Sequence, residues 1–398
     1  MNILLLSQFF SSTRGGGEYL FHLIAKKLAQ NNHKVWIITN KIVGENYETH
    51  QNIKIIFVPP TLKYKGGLPP SFLDNLRYAF NAINVGKKII KKEKIDIIHS
   101  NNFAPALAGS FLSTITSCHH TTTIHDVFSL CGKDYWKLWG KQSQVSKINV
   151  LLAPFFEKLL LKLKYDCIHT VSETSKDDLI KFGSKKPIYV IHNSIEDLKN
   201  SNSLIVVPYQ FIYVGRLVFY KNLEVVLKAI SIAKKIEPRI KLVIVGSGPH
   251  KESIEKLSSQ LGIESNLELK GYVDAEEKEK LIESSSALVF PSLCEGFGIV
   301  ILEAFAKMKP VLVSNIRPMS EIAAHGKTGF VINPHDEQDW SNYLLEIIQN
   351  PAQTKTMGEN GNQLLITKFN QELLYQKIVN MYNDILHTNL KNNSLIQP

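Results

Sequence analysis

Short apolar runs alternate along the chain with segments whose apolar residues recur at helical spacing. In the first half of the chain the strand-like runs are Ile3–Leu6, Val35–Thr39, Ile53–Val58, Ile95–His99, Thr121–Ile124, Cys167–Val171 and Ile188–Ile191. The helix-like segments there are Glu18–Gln30, Phe72–Lys92 and Ala104–Ile115. Short strands separated by helices are typical of βαβ units and a parallel sheet. Because the strands are continuously apolar, we expect helices to cover both faces of that sheet.

The same alternation restarts after the polar segment Asp197–Ser203, which we interpret as a linker. Its strand-like runs are Gln210–Val214, Lys241–Val245, Leu267–Leu269, Ala287–Pro291, Val311–Val313 and Phe330–Ile332. Its helix-like segments are Asn222–Lys235, Lys251–Leu261, Ala275–Glu283, Ile299–Lys307 and Glu337–Gln349. The pattern therefore predicts two α/β domains of common size, residues 1–200 and residues 201–370. It also predicts a last helix at about 371–390 that packs back on the first domain.

The composition agrees with a globular protein that has two cores. Of the 398 residues, 44% are hydrophobic and 21% are charged, which is ordinary for such a protein. No apolar run approaches the roughly 20 residues that a membrane-spanning helix needs. The apolar start, Met1–Ser7, lacks the basic flank and the cleavage site of a signal peptide, and we interpret it as the first strand.

The four cysteines are Cys118, Cys131, Cys167 and Cys294. No two of them form a CxxC pair, and none stands at metal-ligand spacing from a histidine. We therefore expect reduced, mostly buried thiols in a cytoplasmic protein.

Basic residues are concentrated in the first half of the chain. The net charge is +10 overall, +11 over residues 1–200 and −1 over the remainder. This asymmetry indicates an anionic partner for the first half, either nucleic acid or a phospholipid surface, although a compositionally skewed genome would produce the same excess of lysine. Lys87–Lys94 and Asn149–Lys164 combine lysines with apolar residues, as do helices that lie in a lipid interface. A solvated helix end and a helix that covers the sheet are the alternatives for these two segments.

The segment Pro291–Ala306 carries the strongest chemical pattern, PSLCEGFGIVILEAFA. A strand ends at Pro291, a glycine-bearing loop follows, and a helix begins near Gly298. Backbone N–H groups and the helix dipole form an anion site at such a point. Glu295 in the loop and Glu303 in the helix can each accept hydrogen bonds from sugar hydroxyls. For such a loop taken alone, a capped helix with solvated acids is the alternative.

Three further patterns lie at strand ends. Arg216 and Lys221 follow a strand, where two cations could neutralise a diphosphate. Gly16 and Gly17 follow the first strand and let a ligand approach the backbone closely. His125 ends a strand at the edge where doubly wound sheets bind ligands, and it could donate a hydrogen bond or a proton near a reacting centre. Each of these patterns alone also fits a surface or structural role.

Several common catalytic motifs are missing from the sequence. There is no Asp-x-Asp triplet of the kind that clamps a metal and a diphosphate, and there is no HExxH, GxSxG or Walker pattern. We therefore expect neither a metal nor another cofactor.

In their order along the chain, these patterns resemble glycosyltransferase family 4, and the resemblance spans essentially the whole chain. Its most specific part is the E-x7-E element with Gly-Phe-Gly inside it, and Ser194 stands where the family usually has glycine. The resemblance implies an α/β GT-B fold, with two Rossmann-like parallel-sheet domains that face each other across a cleft where the donor binds. The ordered set is Gly15–Glu18, His125-Asp126, Val171-Ser172, His192-Asn193-Ser194, Gly215-Arg216 with Lys221-Asn222, Gly246–Pro249, Gly271–Val273, and Glu295 followed by Glu303.

The resemblance also implies roles for the site residues. Arg216 and Lys221 hold the donor pyrophosphate and stabilise its charge as it leaves. Glu303 holds the ribose hydroxyls and Glu295 holds a hydroxyl of the donor sugar, while His125 points toward that sugar. The remaining donor contacts are the backbone of Phe297, Gly298 and Ile299 at the phosphates and sugar, Gly16 and Gly17 at the phosphates, and Tyr272 and Val273 at the base.

The activity implied by the resemblance is that of a retaining, metal-independent hexosyltransferase with a UDP- or GDP-type donor. Same-face attack, without an enzyme nucleophile, is the expected route. The implied acceptor is lipid-linked or a polysaccharide, as in bacterial capsule or lipopolysaccharide synthesis. We expect a cytoplasmic protein, peripheral at the inner face of the plasma membrane, with the nucleotide sugar and the acceptor as partners, a possible anionic membrane surface, and no nucleic acid.

Two other functions stay open on the sequence alone. A non-hydrolysing nucleotide-sugar epimerase shares the fold and needs no acceptor, but the E-x7-E element with Arg216 and Lys221 argues against it. A basic nucleic-acid-binding or scaffold protein would explain the charge of the first half, but the sequence contains no pattern of a nucleic-acid recognition module.

Overall fold

The computed structural model describes residues 1–13, 15–48, 50–63, 71–132, 134–142, 147–196 and 206–393. Contacts divide the chain into two compact units. The first consists of Met1–Ser129, Leu151–Ser194 and the segment that begins at Gln371. The second consists of Leu130–Val150 and Ile195–Asn370. Residues 130–150, which the sequence boundary assigns to the first domain, therefore group with the second unit.

Strands and helices alternate in both units. The strands are β1, Asn2–Leu6; β2, Lys34–Ile42; β3, Ile53–Leu62; β4, Ile97–Ser100; β5, His119–Thr123; β6, Cys167–Thr170; β7, Ile188–Val190; β8, Gln210–Val214; β9, Lys241–Val245; β10, Leu267–Gly271; β11, Ala287–Phe290; β12, Val311–Ser314; and β13, Gly329–Ile332. The helices are α1, Gly16–Gln30; α2, Phe72–Glu93; α3, Ala104–Thr116; α4, Tyr135–Gln142; α5, Lys147–Leu160; α6, Glu173–Phe182; α7, Leu223–Ala233; α8, Lys251–Leu261; α9, Ala275–Ser284; α10, Ile299–Ala306; α11, Arg317–Ile322; α12, Glu337–Gln349; α13, Pro351–Lys368; and α14, Gln371–Asn393.

The first unit is built on seven parallel strands in the order β3-β2-β1-β4-β5-β6-β7. Leu4, Leu6 and Ile98 of the central strands are fully buried against Ala82 of α2 and Leu112 of α3. Burial of such side chains is the main favourable contribution to folding. The strand order reverses between β1 and β4, which is the place where doubly wound sheets open a crevice at their carboxyl edge.

The last helix, α14, packs on the first unit. The Tyr382 side chain is fully buried, and its hydroxyl lies 2.7 Å from Nδ1 of His99 on β4. The hydroxyl of Tyr375 lies 3.2 Å from Nε2 of His33. The buried Tyr382 thus fixes the helix against the sheet, and the half-buried Tyr375 adds a polar contact to the segment between α1 and β2.

The second unit is built on six parallel strands in the order β10-β9-β8-β11-β12-β13. The strand order reverses between β8 and β11, so this unit has its own switch point. Both sheets are covered by helices and both match the predicted α/β class. Among the described residues, no helix is both long enough and apolar enough to cross a bilayer.

The prediction that all four cysteines are reduced is wrong for two of them. Cys131 and Cys294 form a disulfide within the second unit, whereas Cys118 and Cys167 are buried free thiols, as expected. The pairing spans 163 residues of sequence. Spacing along the chain therefore carried no signal for it, because only the fold brings these two side chains together.

Candidate functional site

The second sheet places two loops side by side at its carboxyl edge. β8 and β11 are parallel neighbours, so the segments that follow Val214 and Phe290 leave the sheet at the same edge. The first segment carries Arg216 and, on the 3₁₀ turn that ends at Lys221, a second cation. The second segment carries Glu295. The topology thus brings together three residues that the sequence patterns single out.

Lys221 and Glu295 form an ion pair that is largely withdrawn from solvent. Lys221 Nζ contacts Glu295 Oε1, and the two side chains are only 10% and 14% exposed. Ser292 Oγ donates to the same carboxylate oxygen at 3.0 Å. Lys221 Nζ also lies 4.7 Å from the centre of the Phe290 ring. Because a partly buried pair is screened less than an exposed one, these contacts keep the ammonium group at a defined place beside the sheet.

Arg216 is held through both its side chain and its backbone. Its Nη2 donates to the Tyr220 hydroxyl at 2.7 Å. The Tyr213 hydroxyl donates to the Arg216 carbonyl oxygen at 2.8 Å. Burial raises the pKa of Tyr213 well above its usual value, so this phenol stays protonated and keeps donating. The guanidinium is therefore oriented within the same loop that carries Lys221.

Helix α10 begins directly behind this loop. Its N-cap residue, Gly298, has a φ of 91°, a conformation that favours glycine. Gly298 has no side chain to cap the first turn of α10, and the backbone N–H groups and the positive end of the helix dipole at such a point suit an anion. Phe297, just before the helix, is buried against the Phe369 ring at a centroid distance of 5.6 Å. That contact anchors the loop and sets where Ile299 starts the helix.

Glu303, one turn into α10, pairs with a residue that the sequence patterns did not single out. Lys278 Nζ of α9 lies 2.7 Å from Glu303 Oε1. The lysine thus orients the carboxylate.

Tyr272 and Val273 follow β10, which is the edge strand two places from β8. Tyr272 is exposed and Val273 is half-buried, so both lie at the carboxyl edge of the sheet, beside the other loops.

In the first unit, the glycine loop and the strand-end histidine are close neighbours. Helix α1 begins at Gly16, and a Cβ on Gly17 would lie only 2.9 Å from His125 Nε2. Only glycine leaves room for the imidazole at this point. The described structure starts again at Gly15, so Arg14 lies outside the described residues.

His125 is a neutral imidazole in this fold. Burial and, to a smaller extent, the nearby His169 lower its pKa to about 3. Its Nε2 lies 3.0 Å from Asn101 Oδ1. Because an amide oxygen only accepts, Nε2 carries the proton in this pair. His125 therefore carries no positive charge at physiological pH, and its Nδ1 is the nitrogen that can accept a hydrogen bond.

The structure thus places the predicted residues in two groups, one per unit, and their roles in ligand binding stay predictions. Tyr220, Lys278 and Asn101 are partners that the sequence patterns missed. Tyr220 stands between Arg216 and Lys221 in the sequence, and that position was a usable signal. Lys278 and Asn101 come from other elements and had none. The first unit holds Gly16, Gly17 and His125, and the second holds Arg216, Lys221, Tyr272, Val273, Glu295, Phe297, Gly298, Ile299 and Glu303.

Two family models match adjoining parts of the chain. Residues 14–197 match the model described as Glycosyltransferase Family 4. Residues 194–364 match the model described as Glycosyl transferases group 1. Together the two matches span residues 14–364, which include all of the candidate site residues.

Known glycosyltransferases are similar to this chain over most of its length. The chain is 29% identical over 347 residues to an uncharacterised glycosyltransferase of Methanocaldococcus jannaschii, covering 86% of this chain and 88% of that protein. It is 25% identical over 313 residues to the capsular polysaccharide biosynthesis glycosyltransferase CapM of Staphylococcus aureus, covering 75% and 79%. The crystal structure of Anabaena HepE in complex with UDP and glucose aligns with a TM-score of 0.73 at 18% identity, covering 96% of this chain and 100% of that one.

Proposed function

The chain belongs to the family 4 type of glycosyltransferases, with the two parallel-sheet units of the GT-B fold, and from that premise we propose a specific reaction. The enzyme transfers a hexose from a UDP- or GDP-type nucleotide sugar to a lipid-linked or polysaccharide acceptor. It retains the anomeric configuration and needs no metal. Its place is the cytoplasmic side of a bacterial membrane, where cell-surface glycans such as capsule or lipopolysaccharide are built.

The observation that carries the proposal is the group of cations at the carboxyl edge of the second sheet. Arg216 and the Lys221–Glu295 pair lie on two adjacent loops, and the uncapped start of α10 follows the second loop. A diphosphate is the ligand that suits two cations and a helix N-terminus together. A carboxylate next to them suits the hydroxyls of the attached sugar.

In the proposed reaction, the bond between the anomeric carbon and the β-phosphate oxygen breaks. A bond from the same carbon to an acceptor hydroxyl oxygen forms on the same face of the sugar. The acceptor proton passes to the departing diphosphate. Arg216, Lys221 and the N-terminus of α10 stabilise the negative charge that develops on the leaving group, and they do so without reorganisation because they are already in place.

The remaining residues contact the other parts of the donor. Glu303 accepts hydrogen bonds from the ribose hydroxyls, and Lys278 keeps that carboxylate oriented. Tyr272 and Val273 border the base. His125 acts at the donor sugar through a hydrogen bond, because a neutral imidazole with a pKa of about 3 does not supply an acidic proton at neutral pH.

The relatives support the donor and the pathway. HepE was solved with UDP and glucose, which favours a uridine diphosphate sugar as the first donor to test. CapM is named for capsular polysaccharide biosynthesis, which favours a cell-surface glycan as product.

A panel of nucleotide sugars tests the proposal. We expect one UDP- or GDP-hexose to raise the melting temperature, because a ligand present at 100 times its Kd stabilises the native state by about 2.7 kcal/mol. The same sugar without its nucleotide serves as the control and should produce no shift. If no nucleotide sugar shifts the transition, the proposal is wrong. If the bound sugar nucleotide is converted to its epimer without an acceptor, the epimerase alternative is correct instead.

The acceptor side of the proposal rests on an exposed apolar surface of the first unit, which we call the α2–α5 patch. It is formed by Phe72, Leu73, Leu76 and Phe80 of α2 and by Leu151, Phe155, Phe156 and Leu159 of α5. The rings of Phe72 and Phe156 lie 6.3 Å apart, so the two helices share one surface. Leu151 is 78% exposed and Phe155 is 64% exposed, so these side chains of α5 do not cover the sheet. An apolar surface of this extent indicates an interaction site.

Lysines flank this patch and extend along α2. Lys158 and Lys162 are exposed beside the apolar side chains of α5. At the other end of α2, Lys88 and Lys92 line a groove together with Lys54 of β3. Apolar and basic side chains in this combination suit the interface of an anionic bilayer, where a lipid-linked acceptor would be presented.

We expect the protein to co-sediment with vesicles that contain phosphatidylglycerol and to be released by added salt. Each lysine near an anionic surface contributes about 1 kcal/mol, and salt screens that attraction. Vesicles of phosphatidylcholine alone should leave the protein in the supernatant. The measurement is the bound fraction with each vesicle at low and high salt.

A pair of variants distinguishes vesicle binding through the α2–α5 patch from nonspecific hydrophobic adsorption. Leu151→Ser combined with Phe155→Ser should lower the bound fraction, whereas Ile366→Ser, which changes an exposed apolar residue of α13, should leave it unchanged. Protein that stays in the supernatant with phosphatidylglycerol at low salt contradicts the docking proposal. A soluble glycan or protein acceptor would then be the better assignment.

A further inference from the structure

A segment from the first half of the sequence is built into the second unit, beside the candidate leaving-group site. Helix α4 and the residues just before it group with the second unit. Cys131 of this segment is joined by a disulfide to Cys294, the residue directly before Glu295. The segment is therefore covalently tied to the loop that carries the ion pair with Lys221.

Helix α4 also packs on the 3₁₀ turn that carries Lys221. Tyr135 is buried, and its ring lies 5.7 Å from the rings of both Phe219 and Tyr220. Tyr220 is the residue whose hydroxyl accepts from Arg216 Nη2. The ring of Tyr135 thus supports the residue that orients one cation and the turn that presents the other.

The C-terminal residue of α4 accepts a hydrogen bond from the same turn. Gln142 Oε1 accepts from the backbone N–H of Phe219 at 3.2 Å. Phe219 is the first residue of the turn, and a first N–H has no partner inside a helical turn. Gln142 Nε2 lies 2.9 Å from His250 Nδ1, and His250 Nε2 contacts Glu224 Oε1. The amide is therefore fixed on one side while it binds the turn on the other.

The turn is too short to fix its own conformation. It is three residues long, and 3₁₀ hydrogen bonds have poorer geometry than those of an α-helix. Its own backbone bonds are Lys221 N–H to the Val218 carbonyl at 3.0 Å and Asn222 N–H to the Phe219 carbonyl at 3.1 Å. From outside the turn, the Leu293 N–H donates to the Tyr220 carbonyl at 2.7 Å. Contacts from outside the turn therefore decide where Lys221 and the partner of Arg216 lie.

We propose that Tyr135 and Gln142 are positioning residues for the leaving-group cations, and that they act through the Phe219–Lys221 turn. This inference rests on the proposed function, in which Arg216 and Lys221 hold the donor diphosphate. Neither residue touches the diphosphate. Each one holds the turn so that the cations are in place before the donor binds, and a preorganised charge costs nothing to align when it is needed.

Calorimetric titration with UDP and with GDP tests the proposal, and the better-binding nucleotide is the probe. Gln142→Met removes both hydrogen-bonding atoms at nearly constant volume. Tyr135→Ala removes the ring that packs on the turn. We expect each variant to weaken nucleotide affinity about tenfold, which corresponds to about 1.4 kcal/mol of binding free energy. Lys141→Ala, which changes an exposed neighbour on α4, should bind like the parent.

A double-mutant cycle distinguishes positioning from a general loss of structure. On a Lys221→Ala background, Gln142→Met should cost much less affinity than on the parent, because the group it positions is gone. Gln142→Met should keep the cooperative unfolding transition of the parent, which shows that the variant is folded. Equal losses of affinity on the two backgrounds, or parent-like affinity in Gln142→Met and Tyr135→Ala, would overturn the positioning role.

The same set of proteins separates this inference from the proposed function. If Lys221→Ala binds the nucleotide as well as the parent does, the diphosphate site is assigned wrongly and both proposals fall. If Lys221→Ala loses affinity and Gln142→Met does not, the diphosphate site stands and only the positioning role of α4 is wrong.

Discussion

Alanine at Arg216 or at Lys221 is expected to lower turnover by about 10²-fold or more, as loss of a preorganised charge stabiliser does. In the proposed reaction, negative charge develops on the β-phosphate as the glycosidic bond breaks. In the structure the two cations are oriented by Tyr220 and by Glu295 before any ligand binds. Removing either side chain therefore leaves a single described cation in these two loops to stabilise that charge. Steady-state rates with the best donor from the nucleotide-sugar panel measure the loss.

The structure adds a control that the rate measurement needs. Lys221→Ala leaves the largely buried Glu295 without its cation, which costs folding stability as well as activity. Lys221→Met keeps most of the side-chain volume, and its melting temperature reports that cost separately. Lys235→Ala changes an exposed lysine of the same unit and should leave turnover unchanged. Full activity in both alanine variants, or activity only with an added divalent metal, would refute the assignment.

The second large effect is that the two acids of the E-x7-E element affect different steps, one nucleotide binding and the other sugar transfer. We expect Glu303→Ala to weaken binding of the free nucleoside diphosphate by about 10-fold or more, since a site built to pair with ribose hydroxyls loses its acceptor. Glu295→Ala should keep most of that affinity, because Lys221 retains its charge. Its transfer rate should fall by a larger factor, because the hydroxyl contact to the sugar and the partner of Lys221 are both lost.

Calorimetry with UDP and GDP, together with transfer rates, separates the two acids. Glu252→Ala, at an exposed position on α8, is the matched control and should change neither quantity. Equal loss of diphosphate affinity in Glu303→Ala and Glu295→Ala would remove the distinction. The Lys278 partner gives a further check, because Lys278→Ala should weaken diphosphate binding less than Glu303→Ala if it only orients the carboxylate.

Much of the fold followed from the sequence because its signals are local. A strand such as β1 or β8 is a continuous apolar run, and a helix such as α2 shows helical spacing over six turns. Parallel strands with short βα connections then place the following loops at one edge. That rule alone puts Arg216 and Glu295 near each other, although the sequence does not state that Lys221 pairs with Glu295.

The features that sequence reasoning missed come from contacts between distant segments. Cys131 pairs with Cys294, Gln142 binds the turn at Phe219, and Lys278 pairs with Glu303. Each contact depends on which loop crosses to which unit and on how neighbouring helices are placed. Residue type and spacing carry no record of either one, so the boundary at residue 200 was drawn through a chain whose residues 130–150 group with the second unit.

The α2–α5 patch shows that the sequence also does not determine which face of a helix is buried. Leu151 and Phe155 have the pattern of a helix that covers a sheet, and the sequence left that reading open beside the lipid-interface one. Their exposure in the fold excludes the sheet-covering alternative, and the lipid interface stays a proposal. Periodicity tells which side chains share a face and not what lies opposite that face.

The sequence by itself determined the two α/β units, the strand-end positions of the candidate residues and the family, because these depend on residue order and local periodicity. Only the tertiary structure decided the partners of those residues: Glu295 for Lys221, Tyr220 for Arg216, Asn101 for His125 and Lys278 for Glu303. The physical reason is the sequence separation over which each kind of interaction acts. An apolar repeat acts over a few residues, whereas an ion pair or a buried hydrogen bond is satisfied by whichever group the packing of the whole unit brings within about 3 Å.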